Sequence, residues 1–216
     1  MDTLLNDIAK FIRDKNQKII IGISGHGASG KTTFANNLLK LLETNDVNYL
    51  NTDPYIIGST IRKFAAINYE YMNENHHYKM TACHPAAHNL TALERDIMMI
   101  RDGLDFYTID AHYSKSTLIS SKNQVNIIEG MSVAFINPNL FDLKIYLYTD
   151  GETELMRRSI RDVSERGTEM TYLRKSHDER RIQYDVFMHP YHRNFDIVIR
   201  NSNEGYLLEK CDFNKM

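Results

Sequence analysis

Short apolar runs alternate along the chain with stretches in which apolar residues recur every three or four positions. The runs are rich in Ile, Val, Leu and Tyr, and such runs are typical of strands that are buried on both faces. The predicted strands are 18–24, 47–52, 125–128, 143–148 and 195–199. The helical spacing predicts helices at 2–15, 31–43, 91–102 and 152–189. Strands that alternate with helices indicate a parallel sheet covered by helices on both faces.

The predicted helix 91–102 carries signals at both of its ends. Thr91 is followed three residues later by Glu94, which is the spacing of a capping box and predicts that Thr91 is the N-cap. Gly103 follows the last periodic residue and is expected to end the helix, because glycine readily adopts the left-handed conformation found there.

The segment 56–90 has weak periodicity and is rich in polar, aromatic and histidine residues. We therefore predict that it covers a bound substrate and does not contribute to the core. His84 and His88 are four residues apart, a spacing that would also suit two metal ligands on one helix. Pro85 lies between them and is incompatible with a continuous helix through both, which argues against a metal site.

Length and charge exclude several classes of protein. The 216 residues contain no internal repeat, linker or low-complexity stretch, so we expect a single domain over residues 1–216. Lys and Arg number 26 and Asp and Glu number 28, which gives a net charge of −2. No basic field therefore indicates nucleic acid or an anionic membrane as a partner. No apolar run approaches the roughly 20 residues that a membrane-spanning helix needs.

The two cysteines and the N-terminus bear on the cellular compartment. Cys83 and Cys211 form neither a disulfide framework nor a metal-ligand spacing, and free thiols fit a reducing environment. The first residues are acidic and lack the apolar core of a signal peptide. We therefore expect a cytoplasmic protein.

The first predicted strand leads directly into a glycine-rich turn, and a helix-forming stretch follows the turn. The turn consists of Gly25, His26, Gly27, Ala28, Ser29, Gly30, Lys31, Thr32 and Thr33. It fills the P-loop pattern G-x-x-x-x-G-K-T, whose backbone N–H groups surround phosphate oxygens at a helix N-terminus. Lys31 is expected to reach the β- and γ-phosphates, and the Thr32 hydroxyl to bind a magnesium ion (Mg²⁺). The sequence thus predicts binding of a nucleoside triphosphate.

Two carboxylates end predicted strands and should lie at the same edge of the sheet as this loop. Asp53 follows the strand 47–52, and Glu129 follows the strand 125–128. Asp53 is placed to accept a proton from a substrate hydroxyl, and Glu129 to support Mg²⁺ directly or through water. The alternatives are that Asp53 is a turn or capping residue and that Glu129 is a surface carboxylate.

From about residue 18 to residue 200, the sequence resembles the uridine kinase and phosphoribulokinase family of P-loop kinases. The matching pieces are residues 25–33, Asp53-Pro54-Tyr55, His84-Pro85, Tyr107 with His112, Ile127-Ile128-Glu129-Gly130, residues 141–146 and residues 157–167. The resemblance implies the α/β three-layer sandwich of P-loop NTPases, with a central parallel sheet, helices on both faces and an arginine-rich helical lid. It also implies that ATP and Mg²⁺ are the cofactors.

The resemblance assigns roles to individual residues. Asp53 would be the base that acts on a primary hydroxyl, and three arginines of the lid would cover the phosphates. These arginines are Arg157, Arg161 and Arg166. The alternative interpretation is that these arginines simply lie on a solvent-exposed face of a helix. Four further residues would contact the substrate, and the last two of them match positions that face a pyrimidine ring. They are Tyr55, His84, Tyr107 and His112.

The sequence departs from the uridine kinase pattern near the expected acceptor. Cys83 and Ala86 stand where that pattern has acidic residues on either side of the His-Pro pair. Thr168 stands where the pattern has a third arginine after Arg-Gly. Loss of the carboxylates weakens the assignment of a ribonucleoside, because a site that binds hydroxyls discriminates through its hydrogen-bond acceptors.

The resemblance therefore implies an ATP-dependent kinase that phosphorylates a primary hydroxyl, with a pyrimidine nucleoside such as uridine as the first acceptor. Another riboside, a pantothenate-like alcohol or a sugar phosphate remains an alternative acceptor. A GTP-dependent switch is disfavoured because the chain lacks an Asn-Lys-x-Asp motif, and a non-catalytic nucleotide-binding regulator is the other alternative. Since uridine kinases of the family form oligomers, the resemblance implies that this chain also forms a homo-oligomer.

Overall fold

A computed structural model describes residues 1–42, 46–164 and 169–212. The strands are β1 (Ile19–Ser24), β2 (Val47–Asn51), β3 (Ala66–Tyr71), β4 (Glu74–Lys79), β5 (Phe106–Tyr107), β6 (Leu118–Ile119), β7 (Val125–Glu129), β8 (Leu143–Tyr148), β9 (Ile197–Ser202) and β10 (Gly205–Cys211). The α-helices are α1 (Asp2–Arg13), α2 (Lys31–Leu42), α3 (Ser59–Arg62), α4 (Leu90–Arg101), α5 (Gly151–Ser164) and α6 (Met170–Phe187).

The central sheet has the strand order β10-β9-β8-β1-β7-β2. Strand β1 lies in the middle and pairs in parallel with β7 and β8, while β2 and β9 extend the sheet in parallel on either side. All five predicted strands are present, and their parallel arrangement is confirmed. Because the strands run in the same direction, their carboxyl ends meet at one edge, where ligands bind in open α/β sheets.

Helices cover both faces of the sheet. Successive side chains of β1 point to opposite faces and are apolar on both, so each face needs a helical layer to bury it. Ile21 packs with α1 and α2, in a cluster that includes Ile8 and Leu38. Ile20 packs on the other face, in a cluster that includes Ile97 of α4. The three-layer α/β sandwich that the sequence predicts is therefore confirmed.

The N-terminus of α4 differs from the prediction. The helix begins at Leu90, and the N-cap is Asn89, whose side chain accepts a hydrogen bond from the Ala92 backbone N–H. Glu94 instead accepts a hydrogen bond from the backbone N–H of Asn137, at 3.2 Å. The predicted capping box at Thr91 is wrong, because Asn is at least as good an N-cap as Thr and stands two residues earlier.

The segment 56–90 contains an antiparallel hairpin, β3–β4, that the weak periodicity did not predict. The hairpin packs on α6, where Glu179 accepts hydrogen bonds from the Tyr69 hydroxyl at 2.5 Å and contacts the His76 ring at 3.1 Å. Gln183 of α6 donates to the Lys79 carbonyl at 3.0 Å. The hairpin is thus attached to a helix rather than to the central sheet, and its proposed role as a cover over substrate stays a prediction.

The predicted helical region 152–189 is divided between α5 and α6. The interval 165–168, which carries Arg166 and Thr168, lies outside the described residues. The arginine-rich lid therefore stays a prediction. Strand β10, which the sequence analysis did not predict, pairs antiparallel with β9 and ends the sheet. Of the helices in the described ranges, none is long and apolar enough to cross a membrane.

Candidate active site

The glycine-rich turn after β1 requires glycine at two positions. Gly25 has a φ of +143°, and a Cβ there would lie 1.8 Å from the Leu147 carbonyl oxygen. Gly30 has a φ of +94°, and a Cβ there would lie 2.2 Å from Nδ2 of Asn201. That amide donates a hydrogen bond to the Ser29 carbonyl at 2.8 Å. The loop therefore packs tightly against Leu147 of β8 at Gly25 and against Asn201 of β9 at Gly30. These two contacts fix its conformation.

Lys31 lies at the first position of α2, below the surface of the loop. Its ammonium donates to the His26 carbonyl at 3.0 Å and is 4.0 Å from Oε1 of Glu129. Together with the helix N-terminus, this places a fixed positive charge where backbone N–H groups are available. The arrangement is that of an anion-binding site at a helix N-terminus.

Glu129 is buried at the carboxyl end of β7, with only 2% of its surface exposed. Its Oε2 accepts hydrogen bonds from the Tyr49 hydroxyl at 2.7 Å and from Nδ2 of Asn51 at 3.3 Å. The Thr32 hydroxyl lies 3.3 Å from the same oxygen. The hydroxyl and the carboxylate are hard oxygen ligands held side by side, so the pair fits a magnesium ion that keeps water and phosphate as its other ligands.

Tyr49 and Asn51 belong to the site although the sequence analysis did not single them out. They lie on β2, where Asn51 pairs in register with Glu129 of β7. Burial, and then the charge of Glu129, raises the pKa of Tyr49, so its phenol remains a hydrogen-bond donor to the carboxylate. The sequence offered one signal for these two residues: Tyr49 and Asn51 are polar side chains at alternate positions near the end of a predicted strand, so they point to the same face.

The carboxyl ends of β2 and β7 approach each other closely at Gly130. Gly130 has a φ of +145°, and a Cβ there would lie 2.0 Å from Oγ1 of Thr52. The Thr52 backbone N–H donates to the Glu129 carbonyl at 2.8 Å, which brings the residue before Asp53 against the end of β7. Glycine at position 130 therefore lets the two carboxylates predicted for the site lie on adjoining strand ends.

Asp53 begins a single 3₁₀ turn, Asp53–Tyr55, directly after β2. Its backbone N–H is bound by Oδ1 of Asn51 at 2.8 Å, and its carbonyl accepts a hydrogen bond from the Tyr113 hydroxyl at 3.2 Å. The side chain is exposed, and no residue in the described ranges binds its carboxylate. The main chain is thus fixed while the carboxylate stays available to a ligand.

The four predicted substrate residues occupy different surroundings. Tyr55 is buried, and its hydroxyl donates to Asp96 at 2.5 Å. The His84 ring accepts a hydrogen bond from the Ala86 N–H at 3.1 Å. Tyr107 is 70% exposed, and His112 is also exposed. Tyr107 and His112 lie in the segment that also carries Tyr113, and it is Tyr113 whose hydroxyl contacts Asp53.

A cavity of about 400 Å³ lies beside β2 and the segment that follows β5. Tyr49, Asn51 and Tyr55 line it on one side, and Thr108 and Ser114 line it on the other. The cavity therefore adjoins Tyr49 and Asn51, the two residues that bind Glu129, and its lining combines hydroxyl and amide groups with apolar side chains such as Ile109 and Leu118.

Arg157 of α5 reaches the glycine-rich loop. Its guanidinium donates to the Ala28 carbonyl at 3.4 Å, and to the carbonyl and Oδ1 of Asn201 at 3.2 and 3.1 Å. Ala28 itself has a left-handed φ of +64°. The arginine therefore lies beside the glycine-rich turn, and its role over the phosphates stays a prediction.

Arg161 and Arg166 are not brought to the loop by any described contact. The Arg161 guanidinium pairs with its neighbour Asp162, with an Nε–Oδ1 distance of 2.8 Å. Arg166 lies outside the described residues. Their roles over the phosphates stay predictions.

A closed ring of contacts joins the loop to α5 and α6. Nε2 of His26 accepts a hydrogen bond from the Thr149 N–H at 3.0 Å, and Nδ1 lies 3.5 Å from Glu154 of α5. Glu154 is 3.4 Å from Nη1 of Arg181 on α6, which donates to the Thr149 carbonyl at 2.9 Å. Since Nε2 accepts, the proton of the neutral ring lies on Nδ1. The imidazole of His26 also contacts the Tyr184 ring, with the ring centroids 4.4 Å apart and the two planes tilted by 59°.

Two buried neutral histidines predict a loss of stability in acid. Burial lowers the pKa of both His26 and His88 to about 4, so between pH 6.5 and 4 the unfolded chain binds protons that the native chain does not. Stability from each should be complete above pH 6.5 and fall by about 3 kcal/mol as the pH drops to 4. Urea unfolding across this range should show it.

The matched variant is His88→Gln, since the His88 ring lies 2.8 Å from both the Ala82 carbonyl and the Ser132 hydroxyl, and an amide offers a donor and an acceptor. The variant should lose less stability than the parent between pH 6.5 and 4, because it lacks one titrating group. Parallel pH profiles for the two proteins would contradict the assignment of a neutral buried His88.

The strand–loop–helix at β1, with carboxylates at the adjoining strand ends, defines the chain as a P-loop kinase. Solved structures of other kinases share the fold, and two of them illustrate the likeness. Phosphoribulokinase from Rhodobacter spheroides matches with a TM-score of 0.60 and 17% identity, over 86% of this chain and 71% of that chain. D-glycerate 3-kinase from Cryptococcus neoformans matches with a TM-score of 0.57 and 11% identity, over 95% and 99%.

Sequence comparison narrows the class to a family. The model of the phosphoribulokinase / uridine kinase family matches residues 20–205. A uridine kinase of Staphylococcus epidermidis is 31% identical over 192 residues, which cover 85% of this chain and 88% of the relative. A uridine kinase of Lactobacillus helveticus is 28% identical over 199 residues, covering 87% and 88%. The chain belongs to the phosphoribulokinase / uridine kinase family and is a phosphotransferase with a hydroxyl group as acceptor.

Proposed function

We propose that this chain transfers the γ-phosphate of ATP to the primary hydroxyl of a small molecule, with Asp53 as the base. The observation that carries the proposal is the meeting of three strand ends at one edge of the sheet. The glycine-rich loop follows β1, Asp53 follows β2, and Glu129 ends β7. Phosphoryl transfer needs chiefly positioning and charge neutralisation, and these three elements supply both.

The nucleotide phosphates would lie on the loop, with the Lys31 ammonium against the β- and γ-phosphates. Thr32 and Glu129 would hold the magnesium ion, which neutralises developing charge on the phosphate oxygens when it is bound. Tyr49 and Asn51 would keep the Glu129 carboxylate oriented through their contacts with its Oε2. Arg157, already beside the Ala28 carbonyl, would add positive charge at the same phosphates.

The acceptor hydroxyl would lie between Asp53 and the γ-phosphate. Its proton would pass to the exposed carboxylate as the oxygen attacks phosphorus, and the backbone contacts of Asp53 with Asn51 and Tyr113 would hold that carboxylate in place. Closure of the region that carries Arg161 and Arg166 would exclude water and so limit hydrolysis of ATP.

Uridine is the first acceptor to assay, because relatives that match most of the chain are named uridine kinases. A pyrimidine nucleoside would be expected to meet Tyr107 and His112. Another alcohol is favoured by the buried, uncharged Cys83 and by Ala86, neither of which offers a carboxylate to a ribose diol.

The test is release of ADP by the purified protein with Mg·ATP, measured with and without added alcohols. The panel holds uridine, cytidine, other ribosides, pantothenate and sugar phosphates. Stimulation by uridine or cytidine would assign a nucleoside kinase, and stimulation by another alcohol would keep the mechanism and change the acceptor. If ATP binds tightly and no alcohol stimulates ADP release, the proposed kinase activity fails and a nucleotide-binding regulator takes its place.

A further inference from the structure

The peptide between Gly27 and Ala28 lies at the centre of a tight turn in the glycine-rich loop. The Ser29 N–H reaches the His26 carbonyl at 3.4 Å, which closes the turn over residues 26–29. The φ angle is positive at Ala28, at +64°, but not at Gly27, and this combination is that of a type II turn. Types I and II differ in the orientation of this central peptide, which is rotated by roughly half a turn between them.

The imidazole of His26 binds the carbonyl of this central peptide. Nδ1 lies 2.9 Å from the Gly27 carbonyl oxygen, and Nε2 lies 3.0 Å from the Thr149 backbone nitrogen. A carbonyl can only accept a hydrogen bond and an N–H can only donate one, so Nδ1 carries the proton of the neutral ring and donates it to Gly27. The His26 residue is 1% exposed, and burial lowers its pKa to about 4, so the ring stays neutral near pH 7.

The position of this carbonyl determines where the Ala28 N–H points. A trans peptide directs its C=O and N–H groups in opposite directions, so the Ala28 N–H faces away from the buried imidazole. In the chain ranges that the structure describes, no hydrogen bond uses this N–H. Backbone N–H groups presented by turns of this kind form concave sites for anions. The Ala28 N–H is therefore a donor available to a phosphate oxygen.

The turn has this orientation although Ala28 would be less strained in the other one. A left-handed φ is disfavoured for a residue with a side chain, because Cβ crowds the following carbonyl oxygen. A type I turn would give Ala28 a negative φ, but it would rotate the Gly27 carbonyl away from Nδ1 of His26. A second acceptor near Nδ1, the Glu154 carboxylate, is 3.5 Å away and thus beyond a good hydrogen-bond distance. Arg157 also contacts the Ala28 carbonyl, at 3.4 Å, so the 2.9 Å bond to Gly27 is the shorter of the two that hold this orientation.

We infer that His26 is a positioning residue for nucleotide binding, whose Nδ1–H group selects the turn that presents the Ala28 N–H to phosphate. The inference rests on the proposed binding of nucleotide phosphates to this loop, and it names the side chain that sets the geometry of that contact. The imidazole touches no phosphate and acts through the Gly27 carbonyl. Without the Nδ1 donor the turn relaxes toward type I, and the loop loses one of the donors that meet phosphate.

A role in packing alone makes a different prediction. The His26 ring lies against Tyr184, with the ring centroids 4.4 Å apart, and it fills space between the loop and α6. For packing alone, Gln would replace His better than Asn, because Gln is closer to His in size. For the inference, Asn is the better replacement, because its amide nitrogen lies at the same distance from the main chain as Nδ1. The Gln amide lies one bond farther out, near the position of Nε2.

The first arm of the test measures the dissociation constant of ADP by calorimetry. His26→Asn should bind ADP within about threefold of the parent, while His26→Gln should bind it about tenfold more weakly, the effect of losing one hydrogen bond to a charged group. The matched control is His88→Gln, which alters a buried histidine whose ring contacts Ala82 and Ser132 instead of the loop and should bind ADP like the parent. Equal affinities of the two His26 variants, or weaker binding by the Asn variant, would overturn the inference.

The second arm observes the central peptide directly. Gly followed by Ala occurs once in the sequence, at Gly27 and Ala28. Labelling glycine with ¹³C at the carbonyl and alanine with ¹⁵N therefore gives a single correlated NMR signal, that of the Ala28 N–H. Addition of ADP should shift this proton downfield in the parent and in His26→Asn, and by much less in His26→Gln. If ADP binds to the parent and the signal does not move, the Ala28 N–H does not meet phosphate and the inference is wrong.

Both arms use binding of ADP, so their outcome can be separated from that of the kinase assay. If the variants bind ADP in the expected order but no alcohol is phosphorylated, the role of His26 stands and the proposed kinase activity fails. If an alcohol is phosphorylated and the two variants bind ADP equally, the kinase activity stands and the role of His26 fails. A parent protein that does not bind ADP would overturn both.

Discussion

Replacing Asp53 with Asn is expected to lower kcat by roughly 10³-fold while leaving the affinity for ATP within about twofold. The amide has the same shape and can still accept a hydrogen bond from the acceptor hydroxyl, but it cannot take the proton. The Asp53 side chain is exposed and its backbone contacts are unaffected by the change, so the fold should be retained. Single-turnover measurement of phosphorylated product, with ATP binding measured separately, would give both numbers.

The matched control for this substitution is Asp7→Asn, since Asp7 is an exposed carboxylate on α1. It should leave both kcat and ATP affinity unchanged. If Asp53→Asn keeps full activity, the proton must leave by another route and Asp53 has only a structural place in the turn.

Replacing Lys31 with Met is expected to lower kcat/KM by roughly 10²- to 10³-fold, the usual cost of removing one preorganised donor from a charged transition state. Met keeps the length and the apolar stem, so the buried position at the start of α2 stays filled. The substitution removes the ammonium that bonds the His26 carbonyl and lies 4.0 Å from Glu129. Binding of ATP should weaken together with the rate, because the lysine would contact both ground state and transition state.

Lys40→Met is the control, because Lys40 is exposed near the other end of the same helix. Calorimetry would report the change in ATP affinity, and acceptor-dependent ADP release would report the rate. An unchanged rate in Lys31→Met would mean that the loop does not hold the reacting phosphates.

The strands and the glycine-rich loop could be predicted because their signals are local. The residues that carry these signals are close together in the chain: the apolar run Ile19-Ile20-Ile21 is consecutive, and the glycines at 25 and 30 follow within a few residues. Each pattern therefore predicts the conformation of the segment in which it stands. The carboxylates at 53 and 129 could be placed at one edge because parallel strands share their carboxyl ends.

The features that were missed depend on contacts between distant parts of the chain. Tyr69 and Glu179 are 110 residues apart, and His26 and Thr149 are 123 residues apart. Strand β10 was missed because most of its residues are exposed, so it lacks both the alternation and the continuous apolar run that indicate a strand. At α4, two residues able to cap stand near the same helix start, and only the backbone conformation decides between Asn89 and Thr91.

The attachment of the β3–β4 hairpin to α6 has a mechanical consequence. Glu179 and Gln183 hold the hairpin on one side of the helix, while Arg180 and Arg181, on the same turn of that helix, face the loop and Glu154. Movement of the hairpin relative to α6 would break these hydrogen bonds. A motion in which the hairpin and α6 move as one rigid unit keeps them and therefore costs less free energy. If the hairpin covers the acceptor, as the sequence predicts, closure over the acceptor and movement of Arg180 relative to the loop would occur together.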